Sequence, residues 1–301
     1  MLIPVMLVLV MAIWGGSFIA IKVALKYLSP IELVIARFLP SALLLGPLGM
    51  ITARIKSNST FWSSMSAKER WGAVLLSFLA VPAYHFCLNS GETMIPAGWA
   101  SLVISLNPAC ITFFAAWILS ERITLRRIIG IAIAFSGLLF IALTGKLNAI
   151  AGSQTSTLTI LLGMTITLGA VVSWGGFTVG SKRIIGNRNS LLTLGWIMLL
   201  GVVWVIPWLR PAFFVKMAHA PSDVWWAVGF LSVGCTVVGF AAWFWVLERW
   251  AASRAGAFIY LVPLFALILG WLILKEPLGI KTGLGAGVVL GGVFLAGRRE
   301  G

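Results

Sequence analysis

The chain has 301 residues, a formal net charge of +14 and only three cysteines. Hydrophobic residues make up 60% of it and charged residues 10%, with a mean hydropathy of +1.04. Soluble domains carry about 25% charged residues, so the composition excludes a soluble globule and indicates a polytopic membrane protein.

Ten apolar stretches read as membrane spans, each close to the ~20 residues a bilayer-crossing helix needs once its flanks are counted. The first, Met1–Ile21, lacks a basic start, and its apolar run is too long for a signal peptide, so it reads as a retained span. It carries the segment WGGSFIAIK, Trp14 to Lys22. Gly15 and Gly16 permit close helix approach and bending. Either they serve packing alone, or they let the helix rock while Trp14, Ser17 and Phe18 face a cavity.

The second span, Phe38–Ala53, extends back through Arg37 to about Ile31. Arg37 either snorkels to the outer interface or pairs with Glu32 or Glu92, and a structural or gating role is expected of it rather than solute contact. In the third span, Trp71–Gly91, His85 and Asn89 are one i,i+4 step apart with Tyr84 beside them. Polar groups inside lipid generally face a bundle interior or cavity, so all three are cavity candidates.

The fourth span, Thr93–Ser120, opens near Trp99, a cavity or aromatic-belt residue. Its mid-span Pro108 removes a backbone hydrogen bond and frees a carbonyl that must find a partner or face water. Ser105 and Asn107 supply polar groups there, and Pro108 is a candidate hinge. The fifth span is Ile128–Gly145, followed by a polar stretch around Lys146–Thr159 that reads as a linker.

The sixth stretch, Leu147–Ser181, contains WGGFTVGSK, Trp174 to Lys182, which repeats the first motif 160 residues later. Trp174 and Phe177 thus join the cavity candidates, and Gly175 and Gly176 the candidate hinges. The seventh span is Asn189–Leu209 and the eighth Val224–Leu247, where Trp243, Phe244 and Trp245 cover more than one helix face. Trp245 is taken as a cavity candidate. The ninth, Ala255–Leu274, holds Tyr260 before a second mid-span proline, Pro263. In the tenth, Thr282–Gly297, Gly283, Gly287 and Gly291 recur every four residues and read as a packing face, in a monomer or across a homodimer.

Pro108 and Glu121 recur as Pro263 and Glu276, 155 residues on. Each half has five spans, an odd number, so the second must enter the membrane from the opposite side. The expected fold is therefore all-α: ten transmembrane helices in two inverted-topology repeats, residues 1–145 and 159–301, joined by a linker at 146–158. A solute site near the midplane between the halves goes with that layout. Fourteen of the 22 Lys and Arg fall in the inner loops and tail, and seven in the outer loops, when both termini are cytoplasmic.

The charged landmarks lie at helix ends. Lys22 and Lys182 either anchor their helices or attract a carboxylate at opposite entrances. Glu121 and Glu276 are expected to partner Arg126, Arg127 or Lys281. Cys87, Cys110 and Cys235 lie in apolar runs without metal-ligand spacing and read as free packing thiols.

The paired double-glycine helices, Arg37-Phe38, the Asn89–Glu92 segment, the Ala97-Gly98 start of the fourth span and the paired proline–glutamate helices resemble the drug/metabolite transporter superfamily. Within it the chain is similar to ten-helix EamA-type proteins, and more loosely to aromatic amino-acid exporters. The resemblance implies a central cavity lined mainly by helices 1, 3, 4, 6, 8 and 9, with 5 and 10 peripheral, and an inner bacterial membrane.

A cavity of rings and neutral polar groups suits amphipathic or zwitterionic metabolites, most of all amino acids, including those with aromatic or other large apolar side chains, exported by alternating access. A multidrug or quaternary-cation exporter of the same fold is the alternative. No metal cluster, cofactor loop or catalytic constellation appears in the sequence, and the scattered bases do not form a nucleic-acid patch. The expected partners are a small solute and the lipid bilayer.

Overall fold

The computed structural model describes residues 2–55, 62, 65–119, 125–144, 156–185, 189–250, 252–276 and 279–297. The described residues form helices and short connections, without strands. In chain order the long helices are α1 (Leu2–Leu25), α2 (Pro30–Ile55) and α3 (Ala67–Met94). Next come α4 (Ala97–Ile104, resuming as Asn107–Leu119), α5 (Leu125–Thr144), α6 (Thr157–Ile185) and α7 (Ser190–Val203). A short helix, Pro211–Ala218, precedes α8 (Ser222–Arg249). The chain closes with α9 (Ala252–Gly256 through a 3-10 turn to Val262–Leu274) and α10 (Ile280–Gly297). Helices α1, α2, α3, α4, α6 and α8 are long and apolar enough to cross a membrane, and α5, α7, α9 and α10 contain shorter apolar helices.

Local chemistry sets where these helices begin. Ser66 caps α3 in a reciprocal capping box: its hydroxyl accepts from the Glu69 amide, and the Glu69 carboxylate accepts from the Ser66 amide at 2.9 Å. Asn189 caps α7 by accepting from the Leu192 amide at 2.9 Å. Inside α2, Pro40 lacks the N–H that would bond the Ala36 carbonyl. The Ser232 hydroxyl of α8 reaches that carbonyl at 3.5 Å, while Ser41 donates to the Ser232 carbonyl at 3.0 Å. The proline thus leaves a backbone group that the neighbouring helix repairs.

The dominant helix pairs join the first half of the chain to the second: α1 with α9, α2 with α7, α3 and α4 with α6, and α5 with α10. Glycines make several of these approaches possible. Gly15 of α1 packs on Phe265 and Ala266 of α9, and Gly175 of α6 packs on Cys110 and Phe114 of α4. Between α5 and α10 the backbones nearly touch. A Cβ on Gly137 would lie 2.8 Å from the Val289 nitrogen and 2.9 Å from the Gly285 oxygen. One on Gly292 would lie 2.6 Å from the Gly130 oxygen. Outside, large apolar side chains such as Leu43, Trp117, Leu139, Val172, Ile273 and Phe294 stand exposed, a surface that calls for lipid rather than water.

Of the two readings of the spaced glycines, the structure bears on the monomeric one: Gly283, Gly287 and Gly291 have no atom within 4 Å of an added Cβ, so among the described residues they form no packing face within one chain. The face that packs is turned away from them and uses Gly285, Val289 and Gly292 against α5. Because overpacking a close contact costs about 1–3 kcal/mol, Gly137→Leu is expected to lower the thermal midpoint of the purified protein, and Gly287→Leu to leave it unchanged or raised. Equal midpoints for the two variants in a thermal scan in detergent would contradict the α5–α10 contact.

A chamber between the two halves

Two helix irregularities prepare the centre of the molecule. A π-helical segment, Leu79–Ala83, interrupts α3 just before Tyr84 and His85. A longer one, Phe230–Val238, interrupts α8 just before Phe240. Such segments widen the helix and leave backbone groups off the regular ladder, and they recur at functional sites. Here the Trp14 indole donates to the Cys235 carbonyl at 3.1 Å, and Thr236 donates to the Leu231 carbonyl at 2.9 Å. Helix α4 breaks at Ser105-Leu106 before Asn107-Pro108, while α9 passes through a 3-10 turn before Pro263. The Ile259 carbonyl, which Pro263 deprives of its usual donor, accepts instead from the Val262 amide.

These features surround a small cavity. Helix α1 contributes Trp14, Ser17 and Phe18; α2 contributes Arg37; α3 contributes Tyr84, His85 and Leu88; α4 contributes Ile104 and Asn107. From the second half come Trp174 of α6, Phe240 of α8, and Ile259 and Val262 of α9. Aromatic rings frame it. Trp14 and Trp174 meet edge to face at 5.5 Å between centroids, Tyr84 lies 5.2 Å from Trp174, and Phe240 lies 5.6 Å from Trp174. Trp243, fully buried behind them, touches both tryptophans.

Of the cavity candidates read from sequence, Trp14, Ser17, Phe18, Tyr84, His85, Asn107 and Trp174 come together on this wall. The others lie outside it. Asn89 donates to the Pro30 carbonyl at 3.1 Å, tying α3 to the start of α2. Trp99 is buried in the first turn of α4, and Ser105 bonds the Leu102 carbonyl at 2.6 Å. Phe177 packs behind Trp174 against Phe244, Trp245 stacks under Arg249, and Tyr260 is partly buried beside the chamber residue Ile259. The glycines Gly16 and Gly176 face Phe230 and Leu79, beside the two π segments.

Arg37 departs most from expectation. It does not snorkel, being only 4% exposed, and it pairs with neither carboxylate proposed for it. Glu32 instead meets Lys216 at 2.8 Å. The Arg37 Nε donates to the Thr236 hydroxyl at 2.8 Å, and its Nη1 lies 3.5 Å from His85 Nδ1. Among the described residues the ion pairs are Lys216–Glu32 and Arg249–Glu248, and Arg37 is in neither.

The remaining charges serve helix ends. Lys22 donates to the Glu92 backbone carbonyl at the end of α3, and Lys182 donates to the Leu247 and Trp250 carbonyls at the end of α8. Those carbonyls are ones a helix C-terminus leaves unpaired. Glu276 corrects the expectation of a pair with Lys281. Its carboxylate accepts from the Ala97 and Gly98 amides at 2.8 and 3.1 Å, capping α4 from the far half of the chain. Glu121 lies outside the described residues, as does most of the 146–158 stretch. The three cysteines are free, and no group of three or more metal-type ligands occurs among the described residues.

Sequence reasoning missed Leu88, Ile104, Phe240, Ile259 and Val262. A signal for most of them was present. Ile104 and Ile259 are 155 residues apart, as are His85 and Phe240, and Asn107 and Val262. The spacing of the two prolines therefore pairs lining residues across the halves.

Comparison with known proteins agrees with this architecture. The sequence model of the EamA-like transporter family matches residues 1–143 and 161–298. An uncharacterized transporter of Archaeoglobus fulgidus is 29% identical, over 98% of this chain and 99% of its own. A "probable terminal-alkyne amino-acid exporter" of Streptantibioticus cattleyicolor is 29% identical over 97% of this chain and 92% of its own. A "probable amino-acid metabolite efflux pump" of Escherichia coli is 26% identical over 97% of this chain and 93% of its own. A crystal structure sharing 18% identity superposes with a TM-score of 0.64, covering 98% of this chain and 96% of that one. The chain is a multi-pass membrane protein and belongs to the EamA-like transporter family.

Proposed function

We propose that this transporter exports small amphipathic metabolites, foremost amino acids with aromatic or other apolar side chains, by alternating access between two five-helix halves of opposite orientation. One observation carries the reading: the chamber lies where the halves meet and draws counterpart residues from both. Trp14 and Trp174, at the 160-residue spacing, stand on its wall together with the three pairs at the 155-residue spacing.

Other equivalences support the inverted repeat. The π segments of α3 and α8, the breaks in α4 and α9, and the lysine caps of Lys22 on Glu92 and Lys182 on Leu247 all recur in order. Exchanging the halves also leaves the helix pairing intact: α1 with α9 becomes α6 with α4, and α5 with α10 maps onto itself. In such an arrangement the halves tilt about the central site and open it to one side at a time. The orientation that puts most basic residues inside leaves both termini in the cytoplasm of a cell with its single or inner membrane.

The lining is ring-rich and mostly neutral, which fits a solute with one apolar end and one polar end. The amino-acid names carried by two relatives point the same way. A multidrug or lipophilic-cation exporter would want an acid in the chamber, whereas the charged residue on its wall is Arg37.

The reading is tested with the full chain in proteoliposomes and a panel of labelled amino acids. Wild-type protein is expected to move phenylalanine- or leucine-like solutes, and Trp174→Ala and His85→Ala are each expected to cut the flux about tenfold or more while reconstituting normally. Unchanged flux in both variants would remove the chamber as the solute site. Absence of flux across the whole amino-acid panel would remove the substrate class.

A further inference from the structure

We infer that the chamber recognises its solute through a carboxylate, with Arg37 as the receptor, so that carriage requires an acid group and not merely an amphipathic shape. The inference rests on the chamber being the solute site. It begins with the charge balance. A cation taken out of water is costly unless an anion or a dense set of acceptors meets it. Arg37 is 4% exposed, and its contacts among the described residues are the Thr236 hydroxyl, His85 and the adjacent Phe38 ring. None is an anion. Glu92, the buried acid of α3, acts on Arg37 only through space and makes no ion pair with it among the described residues.

The guanidinium is also fixed in position. Thr236 is held by its own bond to Leu231 within the π segment of α8, and it accepts the Arg37 Nε–H. The Arg37 carbonyl accepts from Ser41 at 2.6 Å. A guanidinium has five N–H donors, and the contacts above occupy two of them. The remaining donors suit the two oxygens of a carboxylate, which arginine grips as a fork.

Neighbouring groups reinforce this demand for an acceptor. If Nδ1 of His85 accepts from Arg37, a neutral ring carries its proton on Nε2, which becomes a donor. That Nε2 and the Trp174 indole N–H are both buried on the chamber wall without a partner. Buried polar groups left unmatched in this way ask for a ligand that matches them. The Asn107 side-chain oxygen, also unmatched on the wall, is available to an ammonium group.

The pairing across the halves shows that this polarity is one-sided. His85 of the first half corresponds to Phe240 of the second, and Asn107 to Val262; Arg37 has no basic counterpart near Trp196. The first half supplies the fixed positive charge and most of the polar groups, and the second, apart from the Trp174 indole, presents the apolar Phe240, Ile259 and Val262. A solute with a carboxylate at one end and an apolar group at the other fits between them.

The test compares four probes that share a ring: phenylalanine, its amide, 3-phenylpropionate and phenethylamine. Binding to the full-length protein in lipid nanodiscs is read by calorimetry. The two acids are expected to bind at least about tenfold more tightly than the amide and the amine. Arg37→Gln is expected to bring the acid-to-amide ratio near one, and Arg37→Lys to restore part of the preference. An amide that binds wild-type protein as tightly as the acid overturns the inference, as does a preference that survives in folded Arg37→Gln, or binding by neither acid. Should Arg37→Gln fail to fold, the wild-type ratio alone decides. Binding of 3-phenylpropionate without phenylalanine would uphold the carboxylate receptor and overturn the amino-acid reading, so the two ideas fail separately.

Discussion

Lipid offers no hydrogen bonds, and that constraint governs every irregularity in this structure. A helix satisfies its own backbone, so each place where the chain stops being a regular α-helix must be repaired by protein or must face a cavity. The break opened by Pro40 is repaired by Ser232, and the N-terminus of α4 is repaired by Glu276 from the opposite half. The ends of α3 and α8 are repaired by Lys22 and Lys182. The Ser232 and Glu276 repairs join helices of opposite halves, whereas the two lysine repairs each join helices within one half.

Part of what remains after these repairs lies around one cavity, while the Glu92 carboxylate and the Thr178 and Ser181 hydroxyls are unmatched away from its wall. The π segments of α3 and α8 lead directly into its wall, and the breaks in α4 and α9 fall beside it. The unmatched polar atoms of His85, Asn107 and Trp174 lie there too. Irregular backbone and unpaired polar groups are expensive in a membrane, and a solute in the chamber would supply a reason for keeping those on its wall. Both halves of the chain line the chamber, and their contributions differ: the first brings an arginine, a histidine and an asparagine, the second Phe240, Ile259 and Val262.

The helical, lipid-facing character of the chain was legible from composition, and the places of the long helices from its apolar stretches, but not every limit: α6 begins at Thr157 and α7 ends at Val203, short of the stretches Leu147–Ser181 and Asn189–Leu209. The double-glycine motifs, read as close approaches, lie where α1 meets α9 and α6 meets α4. Seven of the cavity candidates also share one wall, since aromatic and polar residues inside a span have few other places to go. Periodicity did not say whether the α10 glycines pack within the chain, because a four-residue stripe marks a face without saying which face meets a neighbour. It failed for Glu276, whose partner amides lie 178 and 179 residues away. Arg37 was misjudged because depth along a helix does not reveal a cavity behind it. Its true surroundings depend on a π turn in α8 that no local pattern announces.

The central claim is a wetted chamber shared by the two halves, and thiol labelling tests it most directly. With Cys87, Cys110 and Cys235 replaced, single cysteines at Ile104, Ile259 and, as a packed control, Val34 would be exposed to a small hydrophilic thiol reagent in intact membranes. The account predicts that the two paired positions label and are protected by a transported solute, while the control stays unreactive. Equal inertness at all three positions, under every condition of solute and membrane side, would describe a solid interior and contradict the account.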